Sequence, residues 1–167
     1  MEYQFENVCE YDLERALEFQ YKIGARRIMF WGAVSAVLTL LYLYRALTGP
    51  LVWLIPAAIF LGLSVHYFTW PYRFLKKGEK RMLEYYDGEI PPTYIRFGDQ
   101  IVVEDVDSRF TLEYRKLDKV ISLKRGYYLR YAKKSLVALD PNGFTKGTFA
   151  EFKQFLREKR PDLNIPD

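Results

Sequence analysis

From Ile28 to Tyr44 the chain reads IMFWGAVSAVLTLLYLY, and from Thr48 to Tyr72 it reads TGPLVWLIPAAIFLGLSVHYFTWPY. Neither stretch contains Asp, Glu, Lys or Arg. A helix that crosses a bilayer needs roughly 17–25 mostly apolar residues, and both stretches meet that length. A core helix of a water-soluble protein carries a polar stripe at every third or fourth position, which neither stretch shows. The reading is two spanning helices, at about 28–47 and 50–71, forming a hairpin over 28–72. Only Arg45 to Pro50 separates the blocks, with Thr48-Gly49-Pro50 as the reversal. The leader before Ile28 is longer and more acidic than the n-region of a signal peptide, so the first block is expected to be retained.

Working outward, the basic residues are unevenly spread. Lys22, Arg26 and Arg27 precede the first block, and Arg73, Lys76, Lys77, Lys80 and Arg81 follow the second, whereas the connecting loop has only Arg45. The positive-inside rule then puts both termini in the cytoplasm, a multi-pass protein of the cell (inner) membrane. Trp31, Trp70 and Tyr72 suit the inner interface, and Tyr42, Tyr44 and Trp53 the outer one. The basic run Arg73, Lys76, Lys77, Lys80 and Arg81 is also the candidate contact for anionic lipid, although fixing topology is the simpler role. Pro56 is expected to kink the second helix near its outer end.

Small residues suggest how the helices pack. Gly32 and Ala36, with Ser35 and Thr39 nearby, mark one face; Ala58, Gly62 and His66 mark the other at four-residue spacing. In an antiparallel hairpin that pattern predicts an interhelical contact between Ser35 and His66; snorkelling of His66 to water is the competing reading.

The segments flanking the hairpin are of another kind. Residues 1–27 read as a short strand, Tyr3 to Cys9, followed by an amphipathic helix opened by Asp12. Residues 73–90 read as a basic helical continuation ended by Asp87-Gly88 and Pro91-Pro92. From 91 to 167 short runs follow one another (TYIRF, QIVVEDV, RFTLEY, KVISLK, GYYLRYA, SLVALD) with turn signals between them. Ile101, Val103 and Val106, or Phe110, Leu112 and Tyr114, would line one face of an antiparallel sheet. Asp140-Pro141-Asn142-Gly143 is a turn, and Thr148 with Glu151 forms a capping box that opens a helix carrying Phe149, Phe152, Phe155 and Leu156 on one side. The fold class is therefore α+β: a transmembrane hairpin plus a cytoplasmic antiparallel β-meander, a pleckstrin-homology-like (PH-like) half-barrel, closed by a C-terminal α-helix. Whether the N-terminal strand completes that sheet is left open by the pattern.

The order of parts resembles the YcxB-like family of bacterial membrane proteins. The residues that carry the likeness are YRFLKKGEKRM after the second block, TYIRFGDQIVVED at the start of the sheet, and EYRKLDKVISLKRGYYLRYAKKSLVALDPNGFTKGTFAEFKQFL at the end. Tyr114 stands where that family tends to have Trp, and Asn142 where it tends to have Lys. The resemblance implies an architecture and a bacterial inner-membrane setting, not an activity.

The chemical inventory is thin. One cysteine, Cys9, cannot form an internal disulfide, and one histidine, His66, lies inside an apolar run. A His/Cys zinc site and most nucleophilic hydrolase machinery are excluded on those counts. Glu104, Asp105 and Asp107 lack the spacing of a calcium loop and read as a solvated hairpin tip. The glycines are scattered, without a phosphate-cradling loop. Lys116, Lys119, Lys124, Arg125, Arg130, Lys133 and Lys134, with Tyr127 and Tyr128, are weighed as a nucleic-acid surface and set aside in favour of a solvated or lipid-proximal face. No catalytic residue, metal ligand or cofactor is assigned. The expected function is a non-enzymatic, membrane-anchored interaction or regulatory module for a protein or lipid partner; the alternative is a small oligomeric transport or channel component.

Overall fold

A computed structural model of the protein describes residues 3–166. It is α+β, with two long apolar helices, antiparallel sheets and a C-terminal helix. The chain divides into two compact units, Ala16–Arg81 and the remainder.

The helical unit begins within α1 (Leu13–Phe19), which passes through one π-helical turn, Gln20–Gly24, into α2 (Arg26–Thr48). The Ala25 amide donates to Gln20 O, the five-residue bond of a π turn. A short 3₁₀ turn, Leu51–Trp53, leads into α3 (Leu54–Tyr85). Both α2 and α3 are long and apolar enough to cross a membrane. Their apolar side chains face outward: Leu47 is 86% exposed and Leu40 68%. Pro56 falls in the first turn of α3, where a backbone N–H has no helical acceptor and a proline breaks nothing. The expected kink there has no cause; the interior proline of this helix is Pro71.

Among the described residues the β unit holds eight strands: β1 Phe5–Cys9, β2 Thr93–Phe97, β3 Ile101–Glu104, β4 Arg109–Leu112, β5 Leu117–Ser122, β6 Tyr127–Tyr131, β7 Ser135–Leu139 and β8 Phe144–Lys146, followed by α4 (Phe149–Lys159). They form a five-stranded sheet ordered β4-β3-β2-β1-β8 and a three-stranded sheet ordered β5-β6-β7, antiparallel throughout. The single curled meander expected from the sequence is thus two sheets, and β8 has no counterpart in the sequence reading. The N-terminal strand does join the sheet, between β2 and β8. Its register pairs Cys9 with Thr93, so residues 10–92 are an insertion into the loop of one β-hairpin.

The core is the space between the two sheets and α4. Phe97, Ile101, Leu129, Leu139, Phe152 and Leu156 are all fully buried. Phe152 packs its ring on Phe97 (centroids 4.4 Å apart), Phe144 (5.3 Å) and Phe5 (5.8 Å), so α4 is held by rings from three strands. Val106 was expected inside but is 65% exposed, because β3 ends at Glu104 and the next residues form its turn. At the N-terminus of α4, Thr148 Oγ1 accepts from the Glu151 amide while the Glu151 carboxylate accepts from the Thr148 amide, the capping box legible in the sequence.

Candidate functional site

In the helical unit the two helices meet along a line repeating every seven residues. On α2 the buried positions are Gly32, Ser35, Thr39 and Ala46; on α3 they are Ala57, Ser64 and Pro71. Three- and four-residue steps that sum to seven are the signature of left-handed crossing, and small side chains along such a line let the backbones approach. The helices are in tight contact at Gly32: a Cβ there would lie 3.2 Å from Tyr67 Cβ, and Ser64 Oγ donates across to Gly32 O at 3.2 Å. Ser35 and Thr39 instead donate within their own helix, to Trp31 O and Ser35 O. Further along, Tyr42 stacks between Trp53 and Phe60, with ring centroids 5.8 and 5.6 Å away.

The seam corrects the expected packing face. Ala58 and His66 are exposed, and a Cβ on Gly62 would meet nothing within 4 Å. The predicted Ser35–His66 contact does not form: Ser64 takes the crossing hydrogen bond, and His66 Nδ1 lies 3.0 Å from the Arg73 guanidinium on its own helix. The face is rotated by one residue, from Ala58 to Ala57. Spacing of four selects a narrow stripe, whereas the contact follows a seven-residue repeat that this stripe leaves within two turns.

Arg73, Lys76, Lys77, Lys80 and Arg81 all lie on α3 and are all exposed. At 100° per residue they span an arc of about 140°, so one side of the helix carries the basic exit. Arg73 is occupied with His66, and Lys76 Nζ hydrogen-bonds the Tyr72 hydroxyl at 3.1 Å.

In the β unit the conspicuous polar feature is one the sequence reading missed. Asn7 is fully buried at the centre of β1. Its Nδ2 donates to Asp140 O at 2.7 Å and its Oδ1 accepts from the Asp140 amide at 3.2 Å, so a side chain imitates a strand neighbour where the β1–β8 register shifts. Arg15, also buried, sends Nη1 to within 3.2 Å of Asp140 Oδ2 and Nη2 to Glu10 O at 2.5 Å. Its own carbonyl accepts from the Tyr128 hydroxyl at 3.2 Å. Gly126 is required beside it, since a Cβ there would meet Arg15 Cδ and the Tyr128 hydroxyl at 2.9 Å. Two residues from the start of the chain therefore clamp Asp140. The one available clue was Asn7 itself, a polar residue at an inward parity between Phe5 and Cys9.

Near this clamp, burial pushes the Cys9 thiol above its ordinary pKa, with the Arg15 charge opposing, so it is less thiolate than a free cysteine. Glu104, Asp105 and Asp107 sit at the β3–β4 tip but serve separate partners. Glu104 pairs with Arg96, Asp105 Oδ1 accepts from the Val106 amide, and Asp107 Oδ2 accepts from the Tyr86 hydroxyl at 2.9 Å. That last bond holds the Tyr86 pKa up to about 12. Among the described residues no group of three or more His, Cys, Asp or Glu is arranged to hold a metal ion.

Lys124 and Arg125 lie in the β5–β6 turn, whereas Lys116 and Lys133 come together at the other end of the sheet, around the start of β5 and the β6–β7 turn. An open depression of about 570 Å³ there is lined by Arg115, Lys116, Asp118, Lys133, Arg160 and Asp162 over Leu117 and Leu163. Arg160 Nη1 donates to Leu117 O at 2.7 Å, tying the end of α4 to β5, while its other nitrogens grip Asp162. Tyr127 and Tyr128, weighed as stacking residues, are buried.

Compared with protein-family models, curated proteins and solved structures, the chain matches none.

Proposed function

We propose that the chain is a two-span protein of the cell membrane with both termini in the cytoplasm, and that its β unit is a PH-like, non-enzymatic module for binding a partner at the membrane face. The observation that carries this reading is the insertion of residues 10–92 between paired strands. Cys9 and Thr93 are register partners, so the apolar hairpin begins and ends at neighbouring points of one sheet. A chain that leaves and returns to the same sheet crosses a bilayer an even number of times. The outward-facing leucines of α2 and α3 suit lipid, where no water competes for them. The basic flanks favour the cytoplasmic side for the β unit. Four strands in meander order, β1 to β4, then three in a second sheet, the short β8 and a closing helix support the PH-like reading, and the same order of parts fits the YcxB-like resemblance.

The second reading, an oligomer of hairpins that conducts or transports, draws on the outward line of Ala58, Gly62 and His66, which leaves a small-residue face on α3.

The test is topological and then biochemical. In a Cys9→Ser background, Gly49→Cys is expected to react with an impermeant maleimide added to intact cells, and Asn164→Cys only after lysis. Release of the chain by alkaline carbonate, or labelling of Asn164→Cys from outside, overturns the reading. Crosslinking in native membranes then identifies the partner; a defined higher oligomer of the chain alone favours the second reading.

A further inference from the structure

The charge of the β unit is segregated along the sequence and therefore in space. Residues 84–113, which supply β2 to β4, hold eight Asp/Glu against two Lys/Arg. Residues 114–160, which supply β5 to β8 and α4, hold thirteen Lys/Arg against four Asp/Glu. The second stretch is net +9 and the first net −6, so the unit is divided by charge rather than basic as a whole. Arg115, Lys116, Lys133 and Arg160 of the second stretch line the 570 Å³ depression by the start of β5.

The carboxylates at that depression are already committed. Asp118 Oδ2 accepts from Arg130 Nε at 2.7 Å and its Oδ1 from the Lys133 amide at 3.0 Å. Both oxygens of Asp162 are held by Arg160. Glu113 alone serves two cations, Arg115 and, at 3.2 Å, Lys116. Lys133 and Lys134 form no ion pair among the described residues, so the local balance stays positive after every pair is counted. The geometry also shows the ligand that Arg115 and Lys116 take: a carboxylate, here the half-buried Glu113 of the same chain, acting as an internal stand-in. Arg115 presents a planar fork suited to that group.

Beside the depression runs β5, an edge strand whose sheet neighbour is β6; its first carbonyl, Leu117 O, is taken by Arg160, and the edge beyond it has no strand partner among the described residues. An unpaired strand edge is a template for an extended segment. Tyr127 and Tyr128 are buried in the same sheet, so neither offers a nucleobase a stacking face; Tyr131, beside Lys116, is half-buried. From these observations, and resting on the reading of the β unit as an interaction module, we infer that the β5 edge with Arg115, Lys116 and Lys133 docks an extended acidic segment of a partner protein, whose carboxylates displace Glu113.

The competition with Glu113 supplies a test of opposite signs. The full chain in zwitterionic nanodiscs is titrated with a fluorescein-labelled peptide of alternating Glu and Val, read by anisotropy. Binding is expected, weakening as salt is raised. Lys116→Glu with Lys133→Glu weakens it by about tenfold or more, as charge reversal at a docking face does. Glu113→Gln, which removes the stand-in, tightens it about threefold to tenfold. The same peptide with Lys for Glu does not bind. The inference is overturned if Glu113→Gln leaves the affinity unchanged or weaker, or if a single-stranded oligonucleotide of equal charge binds as tightly. It is also overturned if anionic lipid in the disc abolishes peptide binding in wild type and Glu113→Gln alike, since the face then belongs to the bilayer. None of these results touches the membrane topology, which the maleimide experiment reads separately.

Discussion

The two units of this protein solve opposite packing problems with the same residue types. In the β unit Phe97, Phe152 and Leu156 are shielded from solvent, and the sheets and α4 cohere because water expels them. In the helical unit Leu40, Leu47 and Leu51 stand outward, and what is buried is Gly32, Ser35, Ala57 and Ser64. Large residues make the core of one unit and the surface of the other. Burial of a leucine is a driving force only where the alternative is water; between two helices in lipid, close backbone approach and hydrogen bonds must do it.

That contrast can be broken most severely at Phe152. Phe152→Ala removes a ring that meets Phe5, Phe97 and Phe144 and is expected to cost about 3–5 kcal/mol. Denaturant unfolding of the purified protein, followed by near- and far-ultraviolet circular dichroism, is expected to show loss of aromatic packing in the β unit, with the far-ultraviolet helical signal of α2 and α3 retained. Loss of both signals together would mean that the units do not fold separately.

Asn7→Ala ranks next. It strands the Asp140 amide and carbonyl in a buried site, at about 2–4 kcal/mol for two unsatisfied groups. The same unfolding midpoint checks it, and an Asn7→Ala protein as stable as wild type would show that the side chain is not a strand substitute.

In the helical unit the comparison sharpens between two glycines. Gly32→Leu drives a side chain into Tyr67 and Phe68 and is expected to destabilise the helix pair by about 1–3 kcal/mol, whereas Gly62→Leu points into open space and leaves it unchanged. Thermal unfolding in detergent separates them; equal effects would refute the seven-residue seam and restore the Ala58–Gly62 face.

The smallest effect is a pH dependence at the edge of the β unit. The Tyr86 hydroxyl donates to Asp107, which raises its pKa from 10.0 to about 12. The neutral form is the one the fold favours, so the contribution is fully present below pH 10 and is lost as pH rises through 12. Tyr86→Phe is expected to remove a tyrosinate step near pH 12 from an ultraviolet absorbance titration and to flatten the alkaline limb of stability.

Much of the local structure was legible because its causes are local. Capping of α4 needs only Thr148 and Glu151, three residues apart. The stop of α3 needs Asp87 and Gly88, whose φ values of 54° and 102° take the left-handed conformation expected at a helix end. Seven of the eight strands among the described residues, β1 to β7, announced themselves by short alternating or apolar runs. What was missed depends on partners far along the chain. β8 is three residues long and exists because β1 lies beside it; Arg15 and Asn7 matter because Asp140 is 125 and 133 residues away. The basic depression could not be drawn from the scattered lysines, since it takes the β6–β7 turn and the end of α4 to bring Lys133 and Arg160 to Lys116.

By itself, then, the sequence determined the lengths of the two apolar helices, the turn positions and the charge division of the β unit, because hydropathy, backbone conformation and charge are properties of residues and their near neighbours. Only the tertiary structure decided that β1 sits between β2 and β8 with the hairpin inserted in their loop. Only it decided that the helices meet along Ala57 and Ser64 rather than Ala58 and Gly62. Register and packing face are choices among several nearly equal local patterns, and the winner is set by contacts that exist only once distant segments have come together.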